Sequence, residues 1–342
     1  MREWKGYNHG INLGGWFSQC DHSEDRYDNF ITEDDIKKIS EWGLDHVRLP
    51  IDYNLIAYDN GDIKTKGFNY LDCALLWCER HNLNMIIDLH KTFGYSFDAG
   101  EKEDGFFERS DYQQRFYRLW EEIARRYGNR GEGVAFELLN EVTDRDYCDR
   151  WNLIADECIR RIRVIAPRVK ILVGGYWNNS IEALKDLKPP FDENIIYNFH
   201  CYEPLIFTHQ GAPWIPTMDT SFRISINSTY AELKEANTRM MSQVAVSYDA
   251  FDPNKSLGTE YFEKYFSEAV RIAEERNVPL YCGEYGVINR AEPEDIVKWY
   301  ELIGTTFDKY NIGRAAWSYR AMDFGFVDDH MAGVLDKVIK YL

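Results

Sequence analysis

Two glutamates stand where paired carboxyl chemistry would need them. Glu141 closes the run Phe136-Glu137-Leu138-Leu139-Asn140-Glu141, and Glu284 closes Tyr281-Cys282-Gly283-Glu284; each is a short strand-like segment ending in an acid. Cleavage of a glycosidic bond uses such a pair, one carboxyl protonated to assist the leaving oxygen and one ionised beside the anomeric carbon. Singly, an Asn-Glu or Gly-Glu at a strand end is an ordinary loop contact or helix cap. The weight therefore falls on what accompanies the pair. Arg48, His90, Asn140, His200 with Tyr202, and Trp317 all close comparable runs.

Residues so far apart in sequence meet only if the scaffold brings strand ends together. Short apolar runs alternate with helical patterns along nearly the whole chain, the order of βα units around a parallel sheet. Strands are expected at Gly6 to Leu13, Asp45 to Leu49, Asn84 to His90, Gly133 to Asn140, Lys170 to Gly174, Asn194 to His200, Val278 to Glu284 and Gly313 to Ser318. Helices are expected from an N-cap at Thr32 to a stop at Gly43, and at about Asn69 to His81, Tyr112 to Tyr127, Tyr147 to Ile165, Tyr261 to Arg276 and Pro293 to Tyr310. Eight strands in this rhythm predict an α/β fold, the (β/α)8 TIM barrel, as one catalytic domain over residues 1–342. Active sites of such barrels lie at the C-terminal strand ends. Glu141 and Glu284 would then face each other from strands four and seven. One interval breaks the rhythm: about 55 residues separate strand six from the next helix, against a usual loop of roughly 2 to 6. It is read as an insertion over about residues 203–258, a lid or small subdomain above the barrel mouth.

The set of strand-end residues resembles glycoside hydrolase family 5, the cellulase family. That family carries an Arg after strand two, a His after strand three, Asn-Glu after strand four, a His and a Tyr after strand six, a Glu after strand seven and a Trp after strand eight. Arg48, His90, Asn140, Glu141, His200, Tyr202, Glu284 and Trp317 match in order. Ile11-Asn12-Leu13-Gly14-Gly15-Trp16 also looks like the opening of its small bacterial endoglucanases with a long insertion after strand six. The resemblance implies Glu284 as nucleophile, kept ionised by Arg48 and Tyr202, and Glu141 as acid/base, its proton affinity raised by the neighbouring carboxylate. It further implies that Asn140 binds the sugar 2-hydroxyl, that His200 orients Glu141 or contacts the leaving sugar, that His90 binds hydroxyls, and that Trp317 stacks on a pyranose. Each histidine could instead brace the barrel mouth. One departure stands out: many members follow the strand-three His with a second His, where this chain has Lys91, a residue read as pointing either to solvent or toward the cleft. Trp16, Trp177, Trp214, Phe93, Tyr95, Phe97 and Phe324 are candidate sugar platforms, some of which must be core.

Composition bounds the remaining readings. A net charge of −17 repels a phosphate backbone and argues against nucleic acid. No apolar run is long enough to span a membrane. The N-terminus lacks the pattern of a secretory signal, which suggests a cytoplasmic protein unless a signal has been removed. Seven cysteines without a C-x-x-C pair argue against a disulfide framework or zinc site, and nothing implies a metal or cofactor. The expected activity is a retaining β-glycoside hydrolase, foremost an endo-β-1,4-glucanase acting on β-glucan or cello-oligosaccharides. An exo-acting β-glucosidase or a β-mannanase is the alternative. A non-catalytic carbohydrate-binding barrel would keep the aromatics but has no need of both acids.

Overall fold

A computed structural model describes residues 1–98, 101, 104–244 and 248–342. Eight parallel strands close into a barrel in chain order: β1 (His9–Asn12), β2 (His46–Asp52), β3 (Asn84–Lys91), β4 (Val134–Glu137), β5 (Lys170–Val173), β6 (Ile195–Cys201), β7 (Leu280–Tyr285) and β8 (Gly313–Ala316). They are the eight expected strands, with different ends. β4 stops at Glu137 rather than Asn140, yet the chain beyond it stays pinned: the Leu138 N–H donates to the Leu172 carbonyl at 3.3 Å and the Asn140 N–H to the Leu89 carbonyl at 3.1 Å.

The helices follow from local signals. At Glu33–Glu41 the Asp35 carboxylate accepts from the Thr32 N–H and hydroxyl, each at 2.9 Å, which closes the capping box. The next expected helix starts a turn early, at Thr65. Its Gly67 lies against the Leu55 carbonyl, where a Cβ would come within 1.9 Å. Ser110–Tyr127 buries Phe116, Leu119, Trp120, Ile123, Ala124 and Tyr127, one face at the helical period. Asn277 and Asn311, in left-handed conformation, end Thr259–Arg276 and Pro293–Tyr310.

The strand period of two builds the barrel interior in layers. Ile86, Ala135, Leu172, Ile196, Tyr281 and Ala315 form an apolar layer, closed at the N-terminal end by Trp4 stacked on Tyr7. Two residues further along the strands stand Asp88, Glu137 and Asn198, buried and polar, beside Arg48 of β2. A further two residues bring His90 and His200. The alternate positions, among them Val47, Leu49, Ile87, Leu89, Phe136 and Phe199, join the large core shared with the helices.

From Tyr202 to Gly258 the chain leaves the strand and helix rhythm. Its described residues carry two helices, Leu205–Thr208 and Tyr230–Met240. Hydrogen bonds tie the segment to the chain after β7: Ile288 N–H to the Thr208 carbonyl at 2.9 Å, Arg290 to the Gly211 carbonyl at 2.7 Å, and Ile226 N–H to Asp295 at 3.1 Å. Among the described residues, no helix is long and apolar enough to cross a membrane.

Candidate active site

Arg48 organises the polar layer. Its Nε and Nη2 donate to the two oxygens of Glu137 at 2.7 and 2.8 Å, and Nη1 donates to Glu284 Oε1 at 2.8 Å and Asn12 Oδ1 at 2.9 Å. Nη2 also reaches Asn140 Oδ1 at 2.9 Å and Asp88 Oδ2 at 3.0 Å. Burial opposes the guanidinium charge, but Asp88 and Glu137 outweigh it and hold the Arg48 pKa well above its ordinary value. Asn198 completes the layer, donating to Glu137 at 2.8 Å and accepting the Gly283 N–H at 2.9 Å.

Glu284 stands over this layer. Arg48 donates to one of its oxygens and the Tyr202 hydroxyl to the other, at 2.8 and 2.9 Å. Burial pushes the Tyr202 phenol well above its usual range, so it remains a donor. Glu141 accepts at Oε2 from Asn178 at 3.0 Å, while Oε1 lies 2.8 Å from His200 Nδ1. Its backbone is left-handed, with φ 43°. Tyr95 holds that conformation, its hydroxyl donating to the Glu141 carbonyl at 2.6 Å and accepting the Thr143 N–H at 2.9 Å. Such outliers persist where surroundings fix them.

Ligand atoms of Glu141, His200 and Glu284 all lie within 4.8 Å of one another. A cation could be reached by the same three groups, but the Arg48 guanidinium already brings positive charge to Glu284. Burial, more than any neighbouring charge, pushes both carboxyls up to about 7. The expectation that like charge raises Glu141 is thus corrected in its cause. Burial also takes the pKa of His200 down to about 4 and that of His90 to about 3, leaving both rings neutral. Two carboxyls that both resist ionisation hold a proton between them near neutrality. The donors differ: Glu284 faces an obligate cation and a phenol, whereas Glu141 faces an amide and a neutral imidazole.

Beside the pair, the His90 ring lies parallel to Trp317, centroids 5.8 Å apart and planes within 4°, and its Nδ1 is 2.5 Å from Asp88. Trp317 covers Gly14, where a Cβ would meet the indole at 2.8 Å. Among the described residues, buried Asn140 Nδ2 has no hydrogen-bond partner. The eight strand-end residues therefore surround one site.

The remaining candidates divide. Trp16 is 1% exposed, stacks between Phe17 and Trp77, and donates to the Tyr27 carbonyl, so it is core and presents no face to a sugar. Phe93 and Tyr95 are likewise buried. Lys91 is neither free in solvent nor an open charge, because Asp98 and Glu101 pair with it at 2.6 and 2.7 Å. Trp177 and Trp214 are 50% and 46% exposed; the first adjoins Asn178, and the second packs on His209 and Phe324 beside Tyr202. Tyr95, expected as a sugar platform, instead braces Glu141; Asn12, Asp88, Glu137, Asn178, Asn179 and Asn198 carry no such expectation from the sequence. The polar residues two and four positions before a strand end were visible by period, as in Ile86-Ile87-Asp88-Leu89-His90, but the left-handed turn is signalled locally only by the Asn178-Asn179 pair.

Fold and site together define a glycoside hydrolase built on a parallel (β/α)8 barrel. The chain belongs to glycoside hydrolase family 5: residues 3–323 match the family described as Cellulase (glycosyl hydrolase family 5). It is 48% identical to Cellodextrinase A of Ruminococcus flavefaciens over 92% of this chain and 86% of that one. It is 38% identical to Endoglucanase C of Acetivibrio thermocellus over 97% of both chains. In fold it is similar to endoglucanase Cel5A of Thermotoga maritima, with a TM-score of 0.77 at 24% identity, covering 99% of this chain and 98% of the other.

Proposed function

We propose that the protein is a retaining endo-β-1,4-glucanase, with Glu284 as nucleophile and Glu141 as acid/base. One observation carries the reading: two carboxyls, Glu284 buried and Glu141 half-buried, with oxygens within 4.8 Å, are served by unlike donors. Retaining enzymes place their carboxyl groups about 5–5.5 Å apart, whereas inverting ones leave room for water at about 6.5–9.5 Å. Arg48 and Tyr202 favour charge on Glu284, so the shared proton belongs on Glu141. The Glu284 carboxylate bonds to the anomeric carbon as the glycosidic C–O bond breaks, and the Glu141 proton passes to the departing oxygen. Water then attacks the same carbon, Glu141 takes its proton, and Glu284 leaves. Asn140 Nδ2 can donate to the sugar 2-hydroxyl, and Trp317 offers a ring face.

Substrate is read from the relatives. Endoglucanase C supports internal cleavage of β-1,4-glucan; Cellodextrinase A, the more similar in sequence, supports short soluble oligosaccharides as a second reading. Trp177 and Trp214 at the mouth suit further sugar rings, and the segment from Tyr202 to Gly258 forms one wall of the cleft in this reading. Glu284→Ala is expected to lower turnover by at least about 10²–10⁴-fold. Azide should partly restore Glu141→Ala on an activated aryl cellobioside. NMR of the first products would show the β-anomer; inversion would remove Glu284 as nucleophile. Release of glucose or cellobiose only from chain ends of labelled cello-oligosaccharides would replace the endo reading with the exo one.

A further inference from the structure

Glu141 must give up a proton and later recover one, so the groups that fix its two oxygens matter as much as its burial. Those groups come from an unusual turn after β5. Trp177, Asn178 and Asn179 are successively left-handed, with φ of 51°, 57° and 56°. Asparagine tolerates that conformation better than most side chains. The turn is fastened to the chain directly after Glu141: the Trp177 N–H donates to the Thr143 carbonyl at 3.2 Å and the Asn178 N–H to Val142 at 3.0 Å. Asn178 touches Glu141 itself. Asn179, fully buried, reaches His200 instead, its Nδ2 lying 3.3 Å from Nε2.

The space for this amide is prepared. A Cβ on Gly174 would come within 2.2 Å of Asn179 Oδ1, and one on Gly283 within 2.9 Å of His200 Nε2. A neutral imidazole has one N–H and one bare nitrogen. Burial keeps His200 neutral, with its pKa at about 4. An N–H from Asn179 to Nε2 therefore requires the ring proton on Nδ1, where it points at Glu141 Oε1 across 2.8 Å.

We propose that Asn179 is a positioning residue that fixes His200 as the Nδ1–H tautomer, so that Glu141 Oε1 is always an acceptor and its exchangeable proton sits on Oε2. Oε2 is the oxygen beside exposed Asn178, on the open side of the site, where a leaving oxygen can take the proton. With the tautomer reversed, the proton would be drawn to Oε1, between Glu141 and the buried ring. The kinetic part of this inference rests on Glu141 being the acid/base; the tautomer does not.

The test is nitrogen NMR on ¹⁵N-histidine protein near pH 7, with His200 identified among eight histidines by substitution. His200 should show a protonated Nδ1 and a bare Nε2. Asn179→Asp keeps shape and tolerance of the left-handed turn and, read at about pH 9 where a buried carboxyl is ionised, offers only acceptors to the ring, so Nε2 should become protonated. The same variant should lose about tenfold or more on an aryl cellobioside with a poor leaving group, the equivalent of one hydrogen bond. It should change less than about threefold with dinitrophenolate, which needs no proton on departure. A wild-type Nε2–H, an unchanged tautomer in the variant, or equal losses on both substrates would overturn the proposal. If Asn179→Asp does not fold, the wild-type spectrum decides alone, with Asn179→Gly as the second variant. Failure of azide to restore Glu141→Ala would count against the acid/base role and leave the ring spectrum untouched.

Discussion

At the scale of single residues, the site is a problem of too many carboxyls for one cation. Arg48 lies against Asp88, Glu137 and Glu284 at once, with Glu141 beyond them. Burial pushes Asp88, Glu141 and Glu284 each up to about 7, so the group holds protons that carboxylates in water would have lost. Hydrogen-bond donors then decide which carboxyl ionises first. Tyr202 is the donor best suited to a test, because among the described residues its hydroxyl donates to Glu284 at 2.9 Å and to no other acid. Tyr202→Phe removes a bond made to the charged form, so the proton affinity of Glu284 rises. The acidic limb of kcat/KM against pH should move upward by about one pH unit, the worth of a hydrogen bond to a charged group. A fall in rate with an unmoved limb would show that Tyr202 only packs.

At the scale of elements, the strand ends were legible because each obeys a rule carried by neighbouring residues. Apolar alternation gives the strand, and the polar residue that ends it is placed by the barrel. Where contacts distant in sequence set the outcome, the residues alone did not say so. Trp16 follows a Gly-Gly pair at the mouth of β1 and reads as a sugar platform, yet Phe17, Trp77 and Tyr27 enclose it. The turn at Trp177-Asn178-Asn179 is held by carbonyls after β4, and Tyr95 braces Glu141 from the β3 loop. Trp214 belongs to the segment after β6, which is anchored to the chain after β7; under the function proposed above it would support a sugar ring. Trp214→Ala should raise KM for longer cello-oligosaccharides about fivefold, on the order of 1 kcal/mol, with kcat nearly unchanged. Steady-state kinetics along a series of chain lengths would check this; an equal effect on the shortest substrate would place Trp214 at the bond being cut or in the core.

At the scale of the whole molecule, buried acids couple the fold to pH. Besides Glu141, Glu284 and Asp88, burial pushes Glu203 up to about 7, at the start of the segment that follows β6. Among the described residues its carboxyl accepts only from the Leu205 N–H and the Tyr261 hydroxyl, both at 3.3 Å, weak partners for a charge. In the unfolded chain such a group ionises near its ordinary 4.5, whereas the folded protein keeps the proton until about 7. The folded state thus binds more protons across that interval, and stability falls as pH rises through it. Exposed carboxyls held low by donors, such as Asp111 beside Arg109, slope the other way but act at lower pH and are screened by solvent. Glu203→Gln keeps the shape and removes the cost of ionisation. A tenfold change in proton affinity is worth about 1.4 kcal/mol, so the variant should gain on the order of 3 kcal/mol at pH 8 and almost nothing at pH 4.5. Urea unfolding at the two pH values reads this directly. An equal gain at both would mean that packing at Glu203, and not its proton, sets the stability of this wall of the barrel mouth.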